Sequence, residues 1–234
     1  MHLDSNDLLG VIHKNIQQGK RKFVSLYQIY GLLSTLKQIS RNIFLLEPVC
    51  RLDKDLNLHD IPVTPKIPLS VGFYSKGLDI DNWDGRKEIL NFRGNYGIEI
   101  FKNRLERGDY FFVGYSNGEF VGFVWIEFPP VTEAGYALKN NEAYTYDAWT
   151  FEKFRGNGIF PAIEQSITNY VRDYRHDIKN IVTHVANWNK ASLSGVQKAG
   201  YRIVRLERNI VFLGIHRKQI MDKKVPTKLF IRKE

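Results

Sequence analysis

Residues 144–174 contain the pattern that most constrains how this chain can fold. The aromatic and β-branched run Tyr144-Thr145-Tyr146-Asp147-Ala148-Trp149-Thr150-Phe151 predicts a strand. Apolar side chains at helical spacing over residues 159–174 predict a helix. Gly156 and Gly158 lie between the two and let the backbone approach a ligand closely. Because the first N–H groups of a helix attract anions, this segment predicts a phosphate site in an α/β fold.

The composition is typical of a soluble globular protein of ordinary size. The chain has 234 residues, of which 43% are hydrophobic and 25% charged, enough for one full domain with an appendage. It has no apolar run of roughly 18 residues, so we expect no transmembrane helix, and its start does not resemble a secretory signal. The single cysteine, Cys50, cannot form an internal disulfide. We therefore expect a reducing, cytoplasmic location and a buried thiol that acts as a small hydrophobe.

The formal net charge of +9 predicts acidic partners. A phosphate-rich cofactor, an anionic membrane surface, an acidic carrier protein and nucleic acid all have that chemistry. The lysines and arginines are spread along the chain, with local density only at residues 20–22 and 223–233. Since dispersed charges usually form a solvated surface, we expect no nucleic-acid partner.

The N-terminal third differs from the rest of the sequence. Residues 1–46 have apolar side chains at three- and four-residue intervals with lysine and arginine between them, which predicts a basic amphipathic helix. Two interpretations stay open: contact with a membrane surface or an acyl carrier protein, or packing against the main domain. The three prolines in residues 60–68 mark the expected boundary. We therefore predict an N-terminal helical extension and linker over residues 1–66 and a main domain over residues 67–234.

The main domain alternates between predicted strands and helices. Expected strands cover residues 69–74, 110–115, 120–128, 143–151, 180–187, 201–206 and 209–216, with a further one at 227–232, and expected helices cover residues 86–107, 159–174 and 190–199. Asn117-Gly118 predicts a tight hairpin. This order predicts an α/β fold with a mixed sheet and helices on both faces.

Two motifs resemble the GNAT superfamily of acyl-CoA N-acyltransferases. Arg155-Gly156-Asn157-Gly158 is similar to its Arg/Gln-x-x-Gly-x-Gly/Ala signature. Asn187-Trp188-Asn189-Lys190-Ala191-Ser192 followed by Lys198-Ala199-Gly200-Tyr201 is similar to its second hallmark. The resemblance covers roughly residues 67–215. It implies a GNAT-type mixed, mostly antiparallel sheet flanked by helices, an N-acyltransferase activity, acetyl-CoA or another acyl-CoA as co-substrate, and no metal ion.

The resemblance also implies roles for individual residues. The pantetheine arm would pair with the backbone of Trp149, Thr150 and Phe151. The pyrophosphate would lie on the turn, and Asn189 and Ser192 would add side-chain bonds. The turn residues concerned are Arg155, Gly156, Asn157, Gly158, Ile159 and Phe160.

The general base is not fixed by the motifs. Asp147 on one strand and His184 on the next are the main candidates, and Glu127 and Glu142 are lesser ones. Strand alternation directs Asp147 away from Tyr146 unless a bulge intervenes.

The acceptor is expected to be the amine of a small molecule. Five aromatic residues are expected around the cleft, and Tyr144, Tyr146 and Glu127 are expected to contact the acceptor. Aromatic rings suit stacking on a sugar, so an amino sugar is the first acceptor hypothesis, although such residues are also ordinary core material. The five are Trp125, Tyr144, Tyr146, Trp149 and Trp188.

Two positions depart from the family pattern. Phe160 stands where glycine or alanine is usual, so its ring must turn away from the phosphates. Val196 stands where many relatives have a tyrosine that acts as general acid, so the thiolate must obtain its proton elsewhere. These departures leave two alternatives: transfer of a long acyl chain from an acyl carrier protein, or a non-catalytic module that binds CoA or a partner. The tetrapeptide Phe92-Arg93-Gly94-Asn95 repeats residues 154–157, which we interpret as coincidence.

Overall fold

The computed structural model describes residues 44–58, 60, 62–129, 138–212 and 216–224. Within these residues the chain forms eight strands, three α-helices and one short 3-10 turn at Glu152–Phe154. The strands are β1 Phe44–Asp55, β2 Ser70–Tyr74, β3 Tyr110–Ser116, β4 Glu119–Glu127, β5 Glu142–Thr150, β6 Asn180–Ala186, β7 Arg202–Phe212 and β8 His216–Lys224. The helices are α1 Arg86–Arg107, α2 Ile159–Tyr174 and α3 Lys190–Lys198.

The strands form one twisted sheet in the order β2-β3-β4-β5-β6-β1-β7-β8. Every neighbouring pair is antiparallel except β5 and β6, which run parallel. The predicted fold class, a mixed and mostly antiparallel sheet flanked by helices, is therefore confirmed.

Two hydrophobic cores cover the two faces of the sheet. On one face α2 and α3 pack against a core that contains Ile159, Ile163 and Ile167, which recur at helical spacing and are almost fully buried. On the other face α1 packs Phe101 against Phe111, Trp125 and neighbouring aromatic side chains. Because both faces of the sheet are covered, the ends of the central strands are the places where a ligand can enter.

Strand β1 corrects the prediction for the N-terminal segment. Residues 44–55, assigned by sequence to a helical extension and linker, lie between β6 and β7 and pair with both. Within this run Val49, Cys50 and Leu52 are buried in the sheet. The rest of the predicted N-terminal helix lies outside the described residues, and the division of the chain at residue 66 stays a prediction.

Two further elements differ in detail from expectation. Helix α1 contains a kink at Gly94, where φ is 64° and ψ is −170°, a conformation that favours glycine. Strand β7 continues through the region predicted to separate two strands, and β8 follows at residues 216–224. The predicted strand at 227–232 lies outside the described residues. No helix in the described ranges is long and apolar enough to cross a membrane.

Candidate active site

Strands β5 and β6 separate to form a wedge beside the start of α2. They pair only from Glu142↔Asn180 to Tyr144↔Val182. Beyond that point residues 145–150 and 183–186 diverge, and no described strand pairs with the edge of β5 that faces β6. The hydroxyl of Thr183 donates to the Thr145 carbonyl at 2.9 Å and closes the vertex. The wedge is therefore a slot between parallel strands with unpaired backbone along one wall.

A bulge in β5 shapes this wall. Asp147 has a φ of 46°, and the pairing with β4 shifts register between Phe123 and Trp125. The bulge turns the Asp147 side chain to the face of α1, where Tyr146 also lies. Both terminal nitrogens of Arg93 donate to its carboxylate, at 2.6 and 2.5 Å, and Arg104 donates to it as well. We call this group the arginine clamp: Arg93, Arg104 and Asp147.

The clamp changes the interpretation of Asp147. Burial alone would raise the pKa of this carboxyl, but the hydrogen bond from Arg93 and the charges of Arg104 and Arg93 lower it to about 2. A carboxylate with that pKa is a weak base at neutral pH. The predicted role of Asp147 as general base is therefore not favoured, and its contacts indicate that it holds the bulge in place.

Helix α1 supplies both arginines of the clamp. Its kink at Gly94 directly follows Arg93, whose guanidinium lies 4.8 Å from the Phe92 ring centre and 5.5 Å from that of Phe123. The Arg104 guanidinium lies over Trp125 and Tyr146. Arginine is suited to this position because its flat, weakly hydrated group stacks on rings and binds a carboxylate at once. The repeated Phe-Arg-Gly-Asn tetrapeptide thus includes a structural residue of the site.

The glycine turn before α2 has the geometry expected of an anion site. Gly156 and Gly158 have φ values of 81° and 76°, and a Cβ at Gly156 would meet open space. The backbone N–H of Lys66 donates to the Asn157 carbonyl at 2.9 Å, which fixes the turn to the proline-rich loop. The Asn157 side chain donates back to Phe154. One side-chain N–H of Asn157 is therefore engaged within the turn, while α2 presents its first N–H groups.

Arg155 lies at the mouth of the wedge. Its guanidinium is 5.0 Å from the Trp149 ring centre, and its Nε donates to the Thr150 carbonyl at 3.2 Å. The Trp149 ring packs in turn on Phe92 of α1 at 4.2 Å. The N–H of Phe151 donates to the Val121 carbonyl of β4 at 3.0 Å, so we exclude it from the donors predicted for pantetheine.

Phe160 and Val196, the two residues that depart from the family pattern, lie in the same core. Phe160 turns its ring into the core toward α3, where a Cβ at Gly195 would lie 3.2 Å from it. Gly195 therefore leaves room for the ring, and the ring leaves the turn clear. Val196 is buried in the same core. Asn189 caps α3 by accepting from the Ser192 N–H at 3.1 Å, so its carbonyl oxygen is engaged within the protein.

His184 forms a buried pair with Glu207 of β7. Its Nε2 lies 3.0 Å from the Glu207 carboxylate, which Arg205 also contacts at 2.7 Å. Burial lowers the pKa of His184, and Glu207 offsets part of that effect. The ring lies beside Tyr144 at the vertex of the wedge, with 5.6 Å between ring centres. A neutral imidazole held by a carboxylate can accept a proton, so His184 is the better placed of the two predicted bases.

The acceptor side of the wedge carries tyrosines and buried carboxylates. The Tyr144 and Tyr146 rings are nearly parallel, at 5° and 5.9 Å, and Tyr144 is buried. Tyr146 donates to Asp109 at 2.5 Å. Arg107 contacts Asp109 and lies 3.7 Å from Glu127, which is buried. Tyr146 is thus the more accessible of the two predicted tyrosines.

The remaining predicted residues lie elsewhere. Trp125 is fully buried in the core and Trp188 is largely exposed. Glu142 lies at the closed end of the wedge and accepts from Arg51 at 2.8 Å. Burial favours a higher pKa for Glu142, but the bond from the Lys139 N–H and the charge of Arg51 lower it. Glu142 is therefore a poor candidate for the base.

The residues present fit an acyl-CoA. The turn offers backbone donors and a cationic side chain for phosphates, and the wedge offers an unpaired strand edge for the pantetheine amides. Sequence reasoning missed Arg93, Arg104 and Glu207, because their partners are distant in sequence. Within the described ranges no cluster of three or more histidine, cysteine or acidic side chains is placed to hold a metal ion.

Comparison with known proteins bears on this arrangement. The family model of the acetyltransferase (GNAT) family matches residues 79–201, more than half of the chain. No curated protein sequence matches this chain. The match includes the wedge, the glycine turn and α3, so it covers the predicted binding residues.

Solved structures agree at the level of the fold. The chain is similar to a tandem GNAT protein from the clavulanic acid biosynthesis pathway, with a TM-score of 0.51, 13% identity, and coverage of 73% of this chain and 55% of that one. It therefore spans about half the length of that relative. It is also similar to a GNAT-family acetyltransferase from Colwellia psychrerythraea, with a TM-score of 0.50, 12% identity, and coverage of 89% and 73%. From the family match and this fold, the chain belongs to the GNAT acetyltransferase family.

Proposed function

We propose that this protein transfers the acetyl group of acetyl-CoA to the primary amine of a small molecule by direct attack on the thioester. The observation that carries the proposal is the separation of β5 from β6 next to the glycine turn that begins α2. A slot with unpaired backbone and an adjacent anion site fits a ligand with amides at one end and phosphates at the other.

The binding roles follow from the chemistry of CoA. The N–H groups of Ile159 and Phe160 at the start of α2, with the Arg155 guanidinium, would bind the pyrophosphate. The edge of β5 between Tyr146 and Thr150 would pair with the pantetheine amides. A backbone N–H on the same edge would stabilise the oxyanion that forms when the amine attacks.

His184 would act as the base in this reaction. Its lowered pKa keeps the imidazole neutral at pH 7, ready to accept a proton from the attacking amine directly or through one water. Glu207 would orient the ring and stabilise the imidazolium once it forms. Replacing Glu207 with glutamine should lower kcat while acetyl-CoA binding persists. An unchanged kcat in both Glu207→Gln and His184→Ala variants would remove the base assignment.

The acceptor that we propose to test first is an amino sugar. Tyr146 is the more accessible of the two tyrosines, and the carboxylates of Asp109 and Glu127 nearby would favour a cationic ammonium group. Thiol release from acetyl-CoA with glucosamine, compared with an aliphatic diamine, tests this choice. Equal rates with both amines would remove the sugar preference.

Thermal unfolding with acetyl-CoA, free CoA and a long-chain acyl-CoA tests the proposed co-substrate. A ligand present at a hundredfold its Kd should stabilise the protein by about 2.7 kcal/mol. The shift should disappear in Arg155→Glu and Gly158→Asp variants. Gly118→Asp is a matched control, because Gly118 has a similar φ of 79° in the hairpin between β3 and β4.

The outcomes separate the candidate functions. Stabilisation by acetyl-CoA that is lost only in the turn variants supports the proposal. No shift with any thioester would overturn it and favour a carrier-protein donor or a binding role. A shift with the long-chain thioester alone would favour transfer of a longer acyl group.

A further inference from the structure

A buried carboxyl lies behind the vertex of the wedge. Glu164 of α2 is almost fully buried and accepts a hydrogen bond from the Tyr201 hydroxyl at 2.7 Å. The Tyr201 hydroxyl is 3.2 Å from the hydroxyl of Thr145. Thr145 is the first residue of β5 beyond its pairing with β6. A chain of three hydrogen-bonding groups therefore leads from the core to the vertex.

A charged surface cavity lies beside this chain. Lys54 of β1 donates to Thr168, one turn after Glu164, and lies 3.1 Å from Asp60. Arg172 also pairs with Asp60, at 2.7 Å. Lys54, Asp60 and Tyr201 line a surface cavity of about 490 Å³. Tyr201 therefore connects the buried carboxyl of Glu164 to the wall of this surface cavity.

The charge state of Glu164 sets the direction of the chain. Burial raises its pKa to about 7, although the Tyr201 hydrogen bond and the Lys54 charge oppose that rise. Burial also raises the pKa of Tyr201, so its phenol stays protonated. When Glu164 is protonated, it can donate to Tyr201, Tyr201 to Thr145, and Thr145 outward. When Glu164 is ionised, it can only accept, and the donors turn inward.

We propose that Glu164, acting through Tyr201 and Thr145, supplies the proton that the CoA thiolate takes up as it leaves. This proposal rests on the proposed acetyl transfer at the wedge. Val196, at the position where relatives have a tyrosine, is apolar and buried and can donate no proton. The Glu164 chain would supply a donor from the same side of the sheet, where Tyr201 follows the helix that carries Val196.

The proton balance of the step is complete. The neutral amine attacks the carbonyl carbon, a C–N bond forms, and His184 takes a proton from the nitrogen. The C–S bond then breaks, and its electron pair stays on sulfur. Thr145 gives its hydroxyl proton to sulfur and is resupplied by Tyr201, which is resupplied by Glu164. The products are an amide and a thiol, and the protein returns to its starting state when His184 releases its proton to water and Glu164 takes one up from water.

The experiment compares the pH dependence of kcat in the wild type and in three variants, Glu164→Gln, Tyr201→Phe and Lys54→Met. Glucosamine is the acceptor, and acetyl-CoA is present at a saturating concentration. In the wild type kcat should fall as the pH rises above about 7, because Glu164 loses its proton. Glu164→Gln and Tyr201→Phe should each lower kcat about a hundredfold and remove that alkaline fall. The KM for acetyl-CoA should stay the same, since none of these groups holds the cofactor.

The Lys54→Met variant distinguishes a role of Glu164 in proton transfer from a purely structural role. Lys54 lowers the pKa of Glu164, so its removal should move the alkaline fall to higher pH without abolishing turnover. Arg172 still pairs with Asp60 in that variant, which limits the damage to the fold.

The outcomes distinguish this proposal from the proposed function. Wild-type kcat and an unchanged alkaline fall in Tyr201→Phe would overturn the relay while leaving acetyl transfer intact. An alkaline fall of kcat at the same pH in Lys54→Met as in the wild type would also overturn the relay. No thiol release together with no stabilisation by acetyl-CoA would overturn both. If Glu164→Gln does not fold, Tyr201→Phe still tests the relay, because that change removes one hydroxyl only.

Discussion

Replacing Asp147 with asparagine separates a structural role for this residue from a catalytic one. Asparagine tolerates positive φ about as well as aspartate, so the bulge at a φ of 46° is not itself strained by the change. What the change removes is the negative charge between Arg93 and Arg104. The two guanidinium groups then face a neutral amide, and they are only 22% and 8% exposed.

The magnitude follows from the clamp. The pKa of Asp147 falls from an ordinary 3.8 to about 2 in the folded protein. At about 1.4 kcal/mol per unit, that shift corresponds to roughly 2.4 kcal/mol of stability. Breaking a buried ion pair typically costs about 3–5 kcal/mol, and the side chain here is 17% exposed. We therefore expect Asp147→Asn to lower the free energy of unfolding by about 2–4 kcal/mol at pH 7.

The pH dependence has a definite sign. Because the folded-state pKa is depressed, the stabilisation is complete above the ordinary value near 4 and is lost as the pH falls toward 2. Wild type and variant should therefore differ most at neutral pH and converge near pH 2. Urea unfolding at several pH values measures this difference.

Asp177→Asn is the control for this comparison. Asp177 forms an exposed pair with Arg175 at 2.8 Å, and such surface pairs contribute under about 1 kcal/mol. If Asp147→Asn cost no more than this control while abolishing turnover, the clamp would be refuted as a structural element. Asp147 would then return as the candidate base.

Three further predictions concern the sheet and the buried carboxyl. Gly122→Ala places a Cβ 2.7 Å from a carbonyl oxygen of β5 and should cost about 1–3 kcal/mol by urea unfolding, whereas Gly72→Ala, with its nearest contact at 4.0 Å, should be nearly neutral. Deleting residues 1–55 should abolish folding by circular dichroism, since β1 lies between β6 and β7 and pairs with both. Because the pKa of Glu164 rises from an ordinary 4.5 to about 7, this carboxyl should lower the stability by about 3 kcal/mol between those pH values. The difference in stability between pH 4.5 and pH 8, measured by urea unfolding, should change by that amount in Glu164→Gln.

Local patterns determined most of the elements. Helix α2 was predicted at residues 159–174, because its apolar side chains recur with the helical period and its start has glycines and a proline. The Asn117-Gly118 hairpin was predicted as well, and both residues have positive φ. These features depend on neighbours within a few residues, which sequence displays directly.

The N-terminal strand shows where such reasoning stops. Residues 44–55 follow a stretch with helical spacing and precede a proline-rich loop, so local signals placed them in an extension. They form a strand because β6 and β7 lie on either side and pair with them, and strand propensity depends on the partners available. The continuous β7 has the same cause, since pairing with β1 holds its middle extended.

The residues of the candidate site also fall into two groups, those that the sequence predicts and those whose roles depend on the fold. The sequence by itself predicted the glycine turn and the strand before it, because the first motif and its flanking patterns lie close together in the chain, and it offered His184 only as a candidate on the neighbouring strand. Only the tertiary structure decided that Asp147 pairs with two arginines from α1, that Glu207 holds His184, and that the Phe160 ring fits against Gly195. These contacts join residues that are far apart in the chain, so the sequence alone does not display them. The surroundings of a carboxyl such as that of Asp147 set its pKa, and therefore whether it can act as a base or only as the partner of an ion pair.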